Sequence, residues 1–434
     1  MRIGSCASAP GPIRGTPEMP PKIRGRADHA RVVSLATGTA AFLLAGCTTQ
    51  EPRSLAWCEA AGSEPVSLSA GASRWQREGV SLRFTEVWRR GGARPGEELS
   101  FPFAMAVSSV HGRLALADFE LAEAVVVNAN GDWEGPWTRS GSGPGEVRAP
   151  LGVAWDSAGS LLIYDIGRHS LIRMAGPDSM ASESPVPPAF GGPVFQSGAF
   201  EWTATAADGT LYLEPSPRPL EDQALAETMV LRWAPGTAFA DTIVFDTIPL
   251  VPNADADLVV PGSPRPVLAP GSDGRLAIGG EDGHYRIRMI GPTGAIERTV
   301  CRDVPSIPLT PQEIGAEATP DLPAGPETER RLAAIRAAPR PDPPAPFGRM
   351  FYSTDGQLWV QRDRPLPNSA HDRYFGVPGA NWDVFAPDGE WLGQTVAPPA
   401  ARFMAATGET VYALEESADG ALWLVALRID FVPN

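Results

Sequence analysis

The sequence predicts an all-β fold, a six-bladed β-propeller, and three observations carry that reading. Short apolar strands alternate with tight turns, no helical period separates them, and the unit they form recurs along the chain. The clearest copy spans Gly141 to Met174. Gly141-Ser142-Gly143-Pro144-Gly145 supplies only turn, because glycine takes positive φ and proline fixes φ without donating a hydrogen bond. Gly152-Val153-Ala154-Trp155 is a strand, Asp156-Ser157-Ala158-Gly159 a hairpin, and Ser160-Leu161-Leu162-Ile163-Tyr164 a second strand that is apolar on both faces. Ser170-Leu171-Ile172-Arg173-Met174 returns after the turn at Asp165-Ile166-Gly167. Strands apolar on both faces need cover on both sides, which a ring of small antiparallel sheets provides.

Taken in order, the copies begin with Gly112-Arg113-Leu114-Ala115-Leu116-Ala117-Asp118, 47 residues before the matching Gly159 to Asp165. Weaker copies open at Asp208-Gly209, Asp273-Gly274 and Asp355-Gly356, and a sixth at Gly408. The sixth ends one strand short at Asn434, and Val80 to Trp88, left over before the first copy, can supply that strand and close the ring. The run Gly143-Pro144-Gly145-Glu146, Pro150, Gly159-Ser160-Leu161 and Asp165 resembles the NHL-type repeat of bacterial six-bladed propellers. The resemblance implies architecture over residues 80–434 and leaves function open.

The first residues read differently. Arg24, Arg26 and Arg31 precede the apolar run Val32 to Gly46, which is shorter than the ~20 residues of a membrane-spanning helix and matches an export signal. Leu44-Ala45-Gly46-Cys47 resembles the lipobox of bacterial lipoproteins. That implies cleavage after residue 46, acylation of Cys47 and, with Thr48 rather than Asp next, outer-membrane sorting in a two-membrane cell. Translation starting at Met19 would give a basic region of ordinary length. Residues 47–79 form a tether to the propeller at 80–434.

Loss of residues 1–46 removes six basic and two acidic residues and takes the net charge from −15 to −19. So acidic a body repels phosphate backbones and anionic headgroups, which argues against nucleic acid and leaves the acyl chain as the membrane contact. Lys22 is the only lysine, so the mature chain has no amine for a Schiff base or a P-loop. Cys58 and Cys301 are open to two readings, a disulfide outside the cytoplasm or two buried thiols. Residues 302–347 hold 11 prolines and read as an insertion between the fourth and fifth blades, with a helix start at Thr310-Pro311-Gln312-Glu313 and a short helix from Pro326 to Ile335.

Candidate chemistry centres on one channel mouth. Asp118 and Asp165 end second strands at equivalent positions with Arg168 nearby, and Glu281, Asp282, Glu415 and Glu416 occupy comparable places in later blades. Two readings stand side by side: carboxylates that hydrogen-bond turn amides, or a polar ring able to hold a divalent cation, as in gluconolactonase-type propellers. His111, His169, His284 and His371 fall at different levels of the ring, against a three-histidine zinc site. No nucleophile elbow or Gly-rich loop opening a helix is present. The expectation is a monomeric, non-catalytic envelope scaffold without cofactor for a protein, peptide or glycan partner. A metal-dependent hydrolase or lyase of lactonase type, using the carboxylate mouth, is the alternative.

Overall fold

In the computed structural model, residue 58 and residues 65–434 are described, except 70, 93, 188–199, 216–217, 221–224, 239, 252–258, 261, 306–308, 312–324, 342–343 and 364–374. Cys47 and the whole signal region lie outside the described residues, as do His371 and, of the helix start at Thr310, Gln312 and Glu313.

Six sheets follow one another along the chain, each a meander of antiparallel strands. The first blade comprises Pro102–Val107, Leu114–Asp118, Glu123–Val127 and Trp133–Pro136. The second comprises Pro150–Trp155, Leu161–Asp165, Ser170–Gly176 and Ser179–Pro185. The other four open at Phe200, Val267, Arg349 and Ala401. Asp-Gly turns set the registers: Gly209 and Gly356 take φ of 84° and 83°, the left-handed region that their hairpins need.

The ring closes by pairing the ends of the described chain. Val80–Gly91 runs antiparallel to Leu422–Pro433, with Val80 opposite Pro433 and Gly91 opposite Trp423, so the sixth sheet takes its outer strand from the N-terminal side. The strand left over before the first repeat is thus the closing strand. The fourth blade gains a fifth strand, Val66–Ser69, parallel to Ile296–Arg302. Beside it Cys58 and Cys301 form a disulfide with Cα atoms 6.3 Å apart, both residues fully buried. Next along the chain, the helix Arg74–Glu78 is closed at its start by a capping box between Ser73 and Gln76. It lays buried Trp75 over Gly393 of the fifth blade, where a Cβ would meet the indole at 2.1 Å.

Inter-blade cores are aromatic and aliphatic. Trp359, Trp382, Phe351 and Phe403 pack between the fifth and sixth blades, and Trp137 meets Trp155 edge-on at 5.5 Å between the first and second. Between the fourth and fifth sheets in chain order, the helix Pro326–Ala337 packs its buried Ile335 with Val251 and Val260.

Candidate functional site

A ring of blades leaves its innermost strands around an axis, and there the chain turns to small residues. Ala104, Gly152, Ala154, Ala204, Ala206 and Ala269 bring the backbones close together. At Gly152 the approach is extreme, because a Cβ there would lie 2.2 Å from Thr205 Oγ1 of the next blade. Each innermost strand pairs with one neighbour only, so its second backbone edge is left facing the axis. Together the six strands surround an axial cavity of about 180 Å³ that is partly open to solvent.

Arg349 is the one charged residue among the described lining residues. Arg349 opens the innermost strand of the fifth blade and stands opposite Gln361 in the sheet. Its Nη1 lies 3.3 Å from Met404 Sδ of the sixth blade. Burial alone pushes the guanidinium down to about 10, which still leaves it a cation at neutral pH. Buried Gln361 fixes the local backbone, donating to the Asp363 carbonyl at 2.6 Å and accepting from Val377 N at 3.3 Å. Behind Met404, Phe375 is buried between the sixth and first blades, its ring 5.0 Å from that of Phe101. Among the described lining residues, no carboxylate, histidine or cysteine faces the axis.

The residues singled out from the sequence are engaged elsewhere. Asp118 is fully buried and accepts from the amides of Ser100 at 2.8 Å, Phe101 at 3.1 Å and Leu121 at 3.1 Å. Asp165 repeats the device one blade on, accepting from Arg148 N at 2.8 Å and Ala149 N at 3.0 Å. Each carboxylate thus fastens the segment leading into the first strand of its own blade. Arg168 forms a fork with both oxygens of Glu183 at 2.8 Å and donates to the Gly143 carbonyl at 2.9 Å, which pins the glycine-rich turn.

The later carboxylates face arginines. Glu281 pairs with Arg288 and Asp282 with Arg286, while Glu415 meets Arg89 at 2.7 Å and Glu416 meets Arg402 at 3.7 Å. Burial pushes the Glu281 carboxyl above its ordinary range, against the pull of Arg288. Among the described residues no group of three His, Cys, Asp or Glu side chains comes together to hold a metal ion. These donors therefore do not fit a cation site. Asp118→Ala or Asp165→Ala is expected to cost about 2–4 kcal/mol of stability by stranding buried amides. Urea unfolding reads that loss, and metal analysis of the same samples is expected to give the same content as the wild type.

Sequence reasoning passed over Arg349. Its signal was a charged residue at the head of Arg349-Met350-Phe351-Tyr352, a strand otherwise apolar and placed to run along the axis.

No family model matches the chain, and no curated protein matches it. Solved structures share the fold. A member of the DUF4221 family from Bacteroides vulgatus is 11% identical with TM-score 0.49, covering 81% of this chain and 99% of its own. A gluconolactonase from Xanthomonas campestris is 14% identical with TM-score 0.36, covering 80% and 90%. Virginiamycin B lyase from Staphylococcus aureus is 12% identical with TM-score 0.34, covering 82% and 89%. At such identities the likeness is one of fold, the six-bladed propeller, and it lends no support to an NHL-type identity or a lipoprotein signal. It does correct one expectation. The reading of a non-catalytic scaffold for a protein partner, and of a chain that is not an enzyme, loses its ground, since solved propellers of this architecture include ones named as a lactonase and a lyase. A lean away from catalysis drawn from blade architecture alone does not stand.

Proposed function

We propose that the protein is a small-molecule enzyme, a hydrolase or lyase, whose substrate occupies the axial cavity and whose reacting oxygen is held by Arg349. The observation that carries this reading is an axial cavity whose described lining holds a single charged residue, Arg349. Ester or lactone hydrolysis and elimination both place negative charge on an oxygen as the barrier is crossed. A fixed cation stabilises that charge most where water and mobile ions are thin. The apolar walls and the backbone edges of the innermost strands orient the rest of the substrate. Because the mouth carboxylates are bound to amides and arginines, no step is routed through a cation.

The test is turnover by the purified full chain of a panel of five- and six-membered lactones, aryl esters and macrocyclic esters. Hydrolysis or ring-opening above the buffer rate is expected for at least one class. A panel that stays inert throughout counts against the reading.

The site reading is joined by a proposal about place. Export with acylation at Cys47 is supported by the order Leu44-Ala45-Gly46-Cys47 and by the Cys58–Cys301 bond, which persists in oxidising compartments. Cells expressing the wild type are expected to incorporate a fatty-acid probe into the protein, and Cys47→Ser to abolish it. Equal labelling of both would sink the anchor.

A further inference from the structure

We infer that the Cys58–Cys301 bond is a redox-sensitive latch on a detachable fifth strand of the fourth blade. Its reduction releases Val66–Ser69 and leaves the six-bladed ring closed.

The chain ahead of the first blade touches three blades in turn. Val66–Ser69 lies parallel to Ile296–Arg302 of the fourth blade, Trp75 covers Gly393 of the fifth, and Val80–Gly91 completes the sixth. The first of these is an addition to the fold. Without it the fourth sheet would hold four strands, as the first, second, fifth and sixth do. The third is indispensable, because it supplies the outer strand of the sixth sheet and closes the ring.

Apart from the covalent bond, the added strand is lightly held. Its register spans four residues, from Val66 opposite Thr299 to Ser69 opposite Arg302. Thr299 N donates to the Pro65 carbonyl at 2.9 Å, and Arg298 Nη1 donates to Ser67 Oγ at 2.8 Å. Leu68 leaves 46% of its surface exposed. The apolar cluster at this strand consists of Cys58, Cys301 and Val66, so two of its members are the bonded cysteines themselves. A segment with so few buried contacts opens locally once its covalent tie is cut. The closing strand differs, since Val80, Leu82 and Phe84 pack on the core between the fifth and sixth blades.

Both cysteines are fully buried, so a reductant meets the sulfurs only when the structure around them opens. In the step a dithiol gives up two electrons and two protons, the S–S bond breaks into two thiols, and the dithiol closes into a disulfide. The bond joins residues 243 apart in sequence, so its loss also lowers the unfolding midpoint through a freer unfolded chain. A latch and a brace of the ring share that effect. Exchange in the folded state separates them.

The experiment is native-state hydrogen exchange, read by mass spectrometry, on the full chain in three forms: oxidised, reduced with dithiothreitol, and Cys58→Ala with Cys301→Ala. Amides of Val66–Ser69 are expected to exchange at least about 100-fold faster in the reduced and alanine forms, as a locally opened segment does. Val80–Gly91 and Leu422–Pro433 are expected to keep their protection in all three. If Val66–Ser69 stays equally protected without the bond, the strand holds itself and the inference falls. If Val80–Gly91 loses protection together with it, the bond braces the ring and the inference falls as well. The alanine pair decides the outcome where the buried sulfurs resist dithiothreitol, and the reduced wild type decides it where the alanine pair folds poorly.

Discussion

Arg349→Gln is expected to lower kcat for the best substrate of the panel by about 10²–10³-fold, the scale of losing one preorganised charge partner for a developing oxyanion. The size follows from where the guanidinium sits. It heads the innermost strand of the fifth blade, and burial has already pushed it down to about 10. Gln at the same place keeps hydrogen-bond donors and loses the charge, which separates electrostatics from mere contact. The split between constants is informative. A fall in kcat with KM unchanged marks charge stabilised only as the reaction proceeds, whereas a rise in KM alone marks ground-state anchoring. Arg349→Lys should fall between, since an ammonium restores the charge without the planar fork. Unchanged turnover in the Gln variant would falsify the assignment of Arg349 to the reaction.

How much of this was legible in the sequence depended on the range of the interaction involved. The hairpins were legible because their determinants are local: Asp355-Gly356 and Asp208-Gly209 state both the turn and the register of the strands beside them. Ring closure by Val80 to Trp88 was legible by counting, since one sheet lacked a strand and one strand lacked a sheet. Asp118 and Asp165 were correctly placed at equivalent strand ends, but their partners were not readable. The amides they hold lie 16 to 18 residues back, in the segments before the first strands, apart from Leu121 in the following turn. A carboxylate at a strand end looks the same in sequence whether it binds an amide or a ligand.

Arg349 was illegible for a different reason. Its importance comes from the axis, which exists only when six strands from 300 residues of chain meet. A lone Arg before Met-Phe-Tyr carries no local mark of that position. The choice between scaffold and enzyme was likewise not local. Blade repeats report the geometry of packing, and that geometry is shared by proteins that only bind and by proteins that catalyse.

Asp383→Ala is expected to destabilise the protein by about 3–5 kcal/mol, the cost of leaving a buried cation without its counter-ion. Asp383 sits in the middle strand row of the fifth blade and is fully buried. It pairs with Arg302 of the fourth blade, accepts from Tyr285 Oη at 2.9 Å and has Arg362 Nε at 3.8 Å. Arg302 in turn lies 3.6 Å over the Trp391 ring, so it is held between a carboxylate and an aromatic face. Burial pushes the Asp383 carboxyl up, with the two guanidiniums opposing it, and burial pushes the Tyr285 hydroxyl up as well. Asp383→Leu combined with Arg302→Met should recover part of the loss, because the paired charges leave together while the buried Tyr285 hydroxyl loses its acceptor. Chemical unfolding of Asp383→Leu, Arg302→Met and the double variant measures this as a cycle. The staple also bears on the site. Met350, Val360 and Asp383 share one row across the blade, directly beside the row of Arg349 and Gln361. If the ion pair serves to hold the fifth blade against the fourth, the double variant should fold while losing part of its turnover of the best substrate of the panel. If that turnover is unchanged, the position of Arg349 is fixed by its own strand and by Gln361, and the buried pair serves stability alone.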